Sequence, residues 1–597
     1  MHSRLWKLFP AAVALLLLLA VGAPDGPARG ARAEDNRPAP VEKPLLGWST
    51  WSFIRRNPSE ANVEATAQAM HDSGLQAHGF QFVNLDDFYY VCPSNDGPAV
   101  DQFGRWVVDT AKFPNGMKAV GDHIHSLGLK FGMYVTPGIS NQAVVNNTAI
   151  EGTSLHAADI ATTATEKNFN CRHMVGIDFS KPGAQEFIDS WARLFASYGV
   201  DYIKLDGVGS FDVADVQAWR RGLDRSGRQV HLELSNNLDP RNGAVWRQVS
   251  GGWRISGDIE CTSGCKGLPP GAPQPTPNSS VPLTDWSHVS SRFGQAAQWT
   301  HFGGAGHFND LDALEVGNGL DTGLTPAQRQ TMMTLWTLAA THFILGTDLT
   351  HLDPADLAML TNDEVLAVEQ AGLPGAPLTY NTSTQVWRSR QADGSFVVGL
   401  FNTAAPNFTA PAPPVNVHVS WADLGIQGGA TVRDLWSHTD LGRMPTGFDA
   451  MLDASASRLI RVRPASPTVQ VVADAPSVSR TGTTNLVCPA CTDGVSVGLG
   501  GTLAFRDVRA PREGTSTLTI AYVNGGAASA PVDVSVNGRR HRMMLPPTGG
   551  GMGSMDAIGT VRLGVNLEER ENRVTVTMGP GTLVALDSIT VQHGAPA

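Results

Sequence analysis

Positive charge is in short supply. The chain's 44 Lys and Arg stand against 55 Asp and Glu, leaving a net charge of −11, whereas a nucleic-acid binder needs basic patches to neutralise phosphates. Beyond residue 21 no apolar run is long enough to span a bilayer, and no tandem repeat or long low-complexity tract suggests a repeat array. Cysteine is scarce, six in 597 residues. Cys261 and Cys265 are four apart, and Cys488 and Cys491 three apart. More than two hundred residues separate the two pairs, which argues against one four-cysteine zinc site. No βαβ pattern surrounds Cys488, as a thioredoxin-like redox motif requires.

What is present reads as globular. Apolar residues make up 42% and charged residues 17%, while 63 Gly and 38 Pro point to many turns. The length allows two to four domains. Arg4 and Lys7 precede an apolar run from Ala11 to Val21, and Ala31-Arg32-Ala33 offers a small-x-small cleavage site. Residues 1–33 therefore read as a secretory signal, leaving a secreted protein with no membrane attachment. Export favours disulfides, Cys261 with Cys265 and Cys488 with Cys491, leaving Cys92 and Cys171 to bridge two barrel loops.

From 44 to 370, apolar β-type runs alternate with helical patterns. Phe187, Trp191, Leu194, Phe195 and Tyr198 recur at helical spacing, for example, and lead into Val200-Asp201-Tyr202-Ile203-Lys204-Leu205-Asp206. Eight strand candidates separated by helices predict a (β/α)8 barrel. Segment 376–463 reads as a small antiparallel β domain, 464–468 as a linker, and 468–597 as a C-terminal β-sandwich. The Pro/Gly stretch at 267–282 reads as a surface loop.

Polar residues gather where the predicted strands end: Asp86, Asp87, Lys204, Asp206, Glu233, Arg254, Asp258, Asp310, Asp312 and Asp348. A buried parallel strand has no room for an unpaired carboxylate except at its end. Asp206 and Asp258 are each read as ending such a strand, so two carboxylates meet over one barrel rim, the minimum equipment for hydrolysing an acetal. Lys204 in a barrel also fits a Schiff-base lyase, but Asp206 on the same strand face favours the charged ammonium.

Five motifs in order, Gly47-Trp48-Ser49-Thr50-Trp51, Asn84-Leu85-Asp86-Asp87, Lys204-Leu205-Asp206-Gly207, Trp253-Arg254 through Asp258, and Asn309-Asp310-Leu311-Asp312 through Gly317-Asn318, resemble glycoside hydrolase family 27, the melibiase family. The likeness covers roughly 44 to 463. It implies a retaining hydrolase of α-galactoside oligosaccharides or polysaccharides, with Asp206 as nucleophile and Asp258 as general acid/base, and with neither metal nor cofactor. It further implies Trp51 as the aromatic stacking on the sugar, Asp86, Asp87, Lys204 and Arg254 as hydroxyl ligands, and Asp312 as an orienting group. Two departures stand out. Phe88-Tyr89 follows the Asp pair where the family has Cys-Trp. The fifth strand ends Glu233-Leu234-Ser235-Asn236-Asn237, so either Glu233 or Ser235 can occupy the site near the sugar's second carbon; Glu233 is taken as a sugar ligand. Isomaltodextranases and β-L-arabinopyranosidases of the same family are the alternative activities, and a non-catalytic sugar-binding barrel is a further one. Gly500 through Phe505 and the Tyr522–Gly526 turn give the C-terminal segment a likeness to a carbohydrate-binding module.

Overall fold

The computed structural model describes residues 43–593 apart from 94–95, 237, 262–263, 276–279, 305, 380–381, 427, 466–467, 476, 493, 511–512 and 550–556. The secretory signal read at 1–33 lies outside the described residues.

Eight parallel strands form the first sheet: Leu46–Ser49, Phe82–Leu85, Lys130–Val135, Val200–Leu205, His231–Leu234, Gly252–Arg254, Phe308–Asp310 and Phe343–Leu345. The second to seventh each pair with the strand before, the eighth pairs with the first, and a parallel bridge from Leu314, just beyond the seventh strand, reaches Leu345 of the eighth. The circle closes as a (β/α)8 barrel. Alternation along the strands sets the layers. Ile203 and Leu205 are buried in the apolar core, while Tyr202, Lys204 and the following Asp206 share the opposite face.

The helices form where caps and apolar periodicity agree. Ser59 caps Glu60–Asp72 in a reciprocal box with Asn62, and Thr325 does the same with Gln328 ahead of Pro326–Ala339. Ala184–Tyr198 buries Phe187, Trp191 and Phe195, then stops at Gly199, whose φ of 81° suits a residue without a Cβ. Trp191 and Phe195 pack on Trp219 of helix Val213–Arg225.

After the barrel comes a six-stranded antiparallel sheet running from Ala376–Pro377 to Ser457–Pro464, facing a two-stranded ribbon of Val415–Ser420 and Gly447–Leu452. Val398, Leu400, Ile460, Val417 and Trp421 fill the space between them. Two further antiparallel sheets, built from strands between Thr468 and His593, enclose their own apolar core around Leu503, Ile520, Val534, Val576 and Ile589. This is the C-terminal sandwich. Arg388 Nη2 donates to Thr492 Oγ1 at 2.9 Å, tying it to the preceding sheet.

All six cysteines are paired, Cys92 with Cys171, Cys261 with Cys265 and Cys488 with Cys491. Two sequence boundaries need correction. The sixth strand stops at Arg254, so Asp258 lies on the loop beyond it; that loop curls around the Arg254 guanidinium, whose Nε donates to Ser256 O. Pro464 closes a strand opposite Ala430 and is no part of a linker.

Candidate active site

The C-terminal ends of the barrel strands open into a pocket of about 540 Å³, mouth included, lined by Trp51, Asp86, Lys204, Glu233, Ser235, Arg254, Glu260, Asp310 and Asp312 among others. Lys204 lines it, and Asp206 follows on the same strand face, because the two alternate with buried Ile203 and Leu205. Lys204 Nζ donates to Asp86 Oδ2 at 2.8 Å. Burial works against the ammonium, but Asp86 and Asp206 more than offset this and hold it charged. A Schiff-base amine would need the reverse.

Arg254 is the second cation. Its Nη1 donates to Asp312 Oδ1 at 2.9 Å and its Nη2 to Asp258 Oδ1 at 2.5 Å. Asp312 Oδ2 in turn accepts the Ile259 N–H at 2.7 Å, fixing the loop that carries Asp258. Asp206 and Asp258 thus lie within the fields of the same two cations, Lys204 and Arg254. Burial tends to raise the Asp258 carboxyl, yet Arg254, with Lys204 and Arg292, holds it below the usual carboxylate range. Asp206 is buried, and Asp258 keeps about a third of its side chain (35%) exposed.

Around the mouth, Asp86 Oδ1 accepts the Asp87 N–H and Asp87 Oδ1 the Phe88 N–H, at 2.8 and 2.7 Å. This tight turn forces Phe88 to φ 74°, a strained value for a bulky residue. The ring then stacks near Trp51, centroids 6.3 Å apart and planes 14° from parallel. Burial pushes the Asp87 carboxyl up to about 7. The departure from Cys-Trp thus puts Phe88 beside the proposed sugar platform and sends Tyr89 inward, where its hydroxyl donates to Tyr134 O.

Glu233 sits deeper. Its Oε2 lies 2.9 Å from His231 Nε2 and 3.3 Å from His342 Nε2, while Oε1 has no hydrogen bond among the described residues. Ser235, at the strand's end, lines the same pocket with a hydroxyl that has no hydrogen-bond partner among the described residues. Asp348 turns away to cap its own short helix and pair with His351.

Among the described residues, His231, Glu233 and His342, and separately Asp258, Glu260 and Asp312, bring donor atoms within 4.8 Å of one another. Neither set fits a metal. Burial lowers His342 to about 4, keeping the ring neutral, and its Nδ1 accepts the Leu45 N–H; the ring proton is then on Nε2, which has no lone pair to give. Asp258 and Asp312 are engaged by Arg254.

Sequence reading missed Ser52, Glu260, Glu315, His231, His342 and Arg292. Glu315 had a visible signal, being a second acid, three residues after Asp312, in the otherwise apolar run Leu311, Ala313, Leu314, Val316.

A barrel whose strand ends carry paired carboxylates between fixed cations has the layout of a glycoside hydrolase. The Melibiase family model matches residues 38–234, an Alpha galactosidase A model 282–371, and an alpha galactosidase C-terminal beta sandwich model 381–462. The alpha-galactosidase of Cyamopsis tetragonoloba is 28% identical over 435 residues, 71% of this chain and 87% of that relative. The Coffea arabica alpha-galactosidase is also 28% identical, over 70% of this chain and 94% of that one. A Geobacillus stearothermophilus β-L-arabinopyranosidase of family 27 superposes with a TM-score of 0.62 at 29% identity, covering 71% of this chain and 97% of its own. The isomaltodextranase of Arthrobacter globiformis, at 20% identity, shares the fold with a TM-score of 0.61 over 92% of this chain, C-terminal sandwich included.

The chain belongs to the melibiase family, glycoside hydrolase family 27. It is a glycosidase.

Proposed function

We propose that the protein is a secreted retaining glycosidase that releases terminal α-D-galactosyl residues. Asp206 attacks the anomeric carbon while Asp258 protonates the leaving oxygen; Asp258 then deprotonates the water that frees the sugar. Trp51 stacks on the ring, and Asp86, Asp87, Lys204, Glu233 and Arg254 take its hydroxyls. The observation that carries this reading is the placement of both carboxylates within the fields of Lys204 and Arg254, beside a pocket already lined with hydroxyl-binding groups. The alpha-galactosidase relatives support the choice of sugar. The signal-like N-terminus and the three disulfides support export.

The arabinopyranosidase neighbour favours one second reading. β-L-Arabinopyranose has the ring configuration of α-galactose without its hydroxymethyl group, so the same carboxylates can serve both sugars. A nitrophenyl glycoside panel with wild type and Asp206→Ala tests the proposal. Preferred cleavage of the α-galactoside, lost in the variant, supports it. Preference for the arabinopyranoside keeps the mechanism and moves the substrate, and an Asp206→Ala protein as active as wild type overturns the assignment.

A further inference from the structure

Behind Asp258 lies a second acidic layer that the double displacement leaves unused. Glu260, two residues on, is buried, and Glu315 fully so. Ser52 Oγ donates to Glu260 Oε1 at 2.5 Å and also faces Glu315. Glu260 Oε2 and both Glu315 oxygens lack a hydrogen bond of ordinary geometry among the described residues. The packing leaves no slack: a Cβ on Gly346 would collide with Ser52 Oγ and come within 2.6 Å of Glu315 Oε1.

Two adjacent buried carboxyls that make no salt bridge among the described residues resist ionising together. Burial, with Asp312 and Asp258 nearby, pushes Glu260 up to about 8, and burial with Glu260 alongside also pushes Glu315 well above the usual carboxylate range. Asp258 is held the other way by Arg254. Oxygens of Asp258, Glu260 and Asp312 all lie within 4.8 Å of one another. The reaction needs a proton on Asp258, yet the surroundings favour it on Glu260.

We propose that Glu260, held by Ser52 beside Glu315, stores the proton that Asp258 delivers to the leaving oxygen. This rests on Asp258 being the acid/base; Glu260 is a positioning residue acting through it. The proton moves from Glu260 Oε to Asp258 Oδ, leaving a carboxylate on Glu260. It passes to the glycosidic oxygen as the bond from that oxygen to the anomeric carbon breaks and the bond from Asp206 forms. In the second half, Asp258 takes a proton from water as its oxygen adds to the anomeric carbon and Asp206 departs. That proton returns to Glu260, so the net change is addition of water across the glycosidic bond. The groups facing Glu260 are Ser52 from the first strand's loop, Arg254 and Asp258 from the sixth, Asp312 and Glu315 from the seventh, and Arg292 of helix Trp286–Trp299, while Arg55 acts on Glu315. Because the proton is shared, its loss belongs to the group as a whole and sets the basic limb of kcat/KM.

The test is the pH profile of kcat/KM on an alkyl and a dinitrophenyl α-galactoside, for wild type, Glu260→Gln, Glu260→Asp, Ser52→Ala and Asp258→Ala. With the alkyl substrate, Glu260→Gln is expected to move the basic limb down by about one pH unit or more, since Asp258 must then be protonated from solvent. The dinitrophenyl substrate, needing little acid assistance, shows a smaller effect, and Glu260→Asp recovers part of the loss. Ser52→Ala removes a donor that favours ionised Glu260 and moves the limb upward. It deletes a single oxygen and decides the matter alone if Glu260→Gln does not fold. Limbs that coincide with wild type in both Glu260→Gln and Ser52→Ala, or in Ser52→Ala alone if Glu260→Gln is lost, overturn the proton store. If Asp258→Ala still cleaves the alkyl substrate, the acid/base assignment itself falls, and the store with it.

Discussion

Lys204 Nζ donates to Asp86 Oδ2 across 2.8 Å, joining the ends of the fourth and second barrel strands at the pocket. The pair holds the two strand ends together, because Asp86 is only 4% exposed and burial pushes its carboxyl up, so without its partner it must stay charged and uncompensated or take a proton.

Lys204→Met is therefore expected to cost about 3–5 kcal/mol of stability, the usual penalty for orphaning a buried charge, and on the order of 100-fold or more in kcat/KM. Denaturant titration and kinetics check both. The double variant Lys204→Met with Asp86→Asn regains much of the stability and none of the activity. Equal stability of the single variant and wild type would show that the pair is not buried in solution.

Gly252 allows the interior cluster to form. A Cβ there would strike Glu233 Oε2 and lie 2.5 Å from His342 Nε2. Gly252→Ala is expected to destabilise the barrel by about 1–3 kcal/mol, the cost typical of overpacking. A thermal melt unchanged by the substitution would contradict that packing.

Glu364 links helix Asp363–Glu369 to the antiparallel sheet through Arg433, with Nη2 to Oε1 at 2.6 Å, and through His438. Its hydrogen bonds with Arg433, then His438, lower its carboxyl from 4.5 to about 2. A depressed acid stabilises fully above its unfolded pKa, and the gain fades as pH falls from 4.5 toward 2. Glu364→Gln is expected to lose about 1 kcal/mol at neutral pH, discounted for partial exposure, and nothing once both proteins sit below the folded value. Denaturation curves at several pH values give the comparison. A deficit independent of pH would mean that the ion pair is not its source.

The barrel was legible because its strands and helices carry strong apolar periodicity, and because five motifs sat where strands end. Lys204 and Asp206 were readable from the alternation of one strand alone. Asp258 was placed at a strand end because Trp253 through Asp258 reads as one run. The structure ends the strand four residues earlier, since Arg254 recruits Ser256, Asp258 and Asp312 into its own coordination. Glu260, Glu315 and Ser52 converge from three separate loops, and no local pattern records such a meeting. The His231–Glu233–His342 contact escaped for the same reason, as it joins the fifth strand to the residue before the eighth.

The central claim is that Asp206 forms the covalent bond to the sugar. Incubation with 5-fluoro-α-D-galactosyl fluoride, followed by proteolysis and mass spectrometry of the peptides, tests it most directly. The account predicts one fluorogalactosyl adduct, located on Asp206 and absent from Asp206→Ala. An adduct on another carboxylate, or an active enzyme that accumulates none and releases β-galactose as its first product, would contradict it.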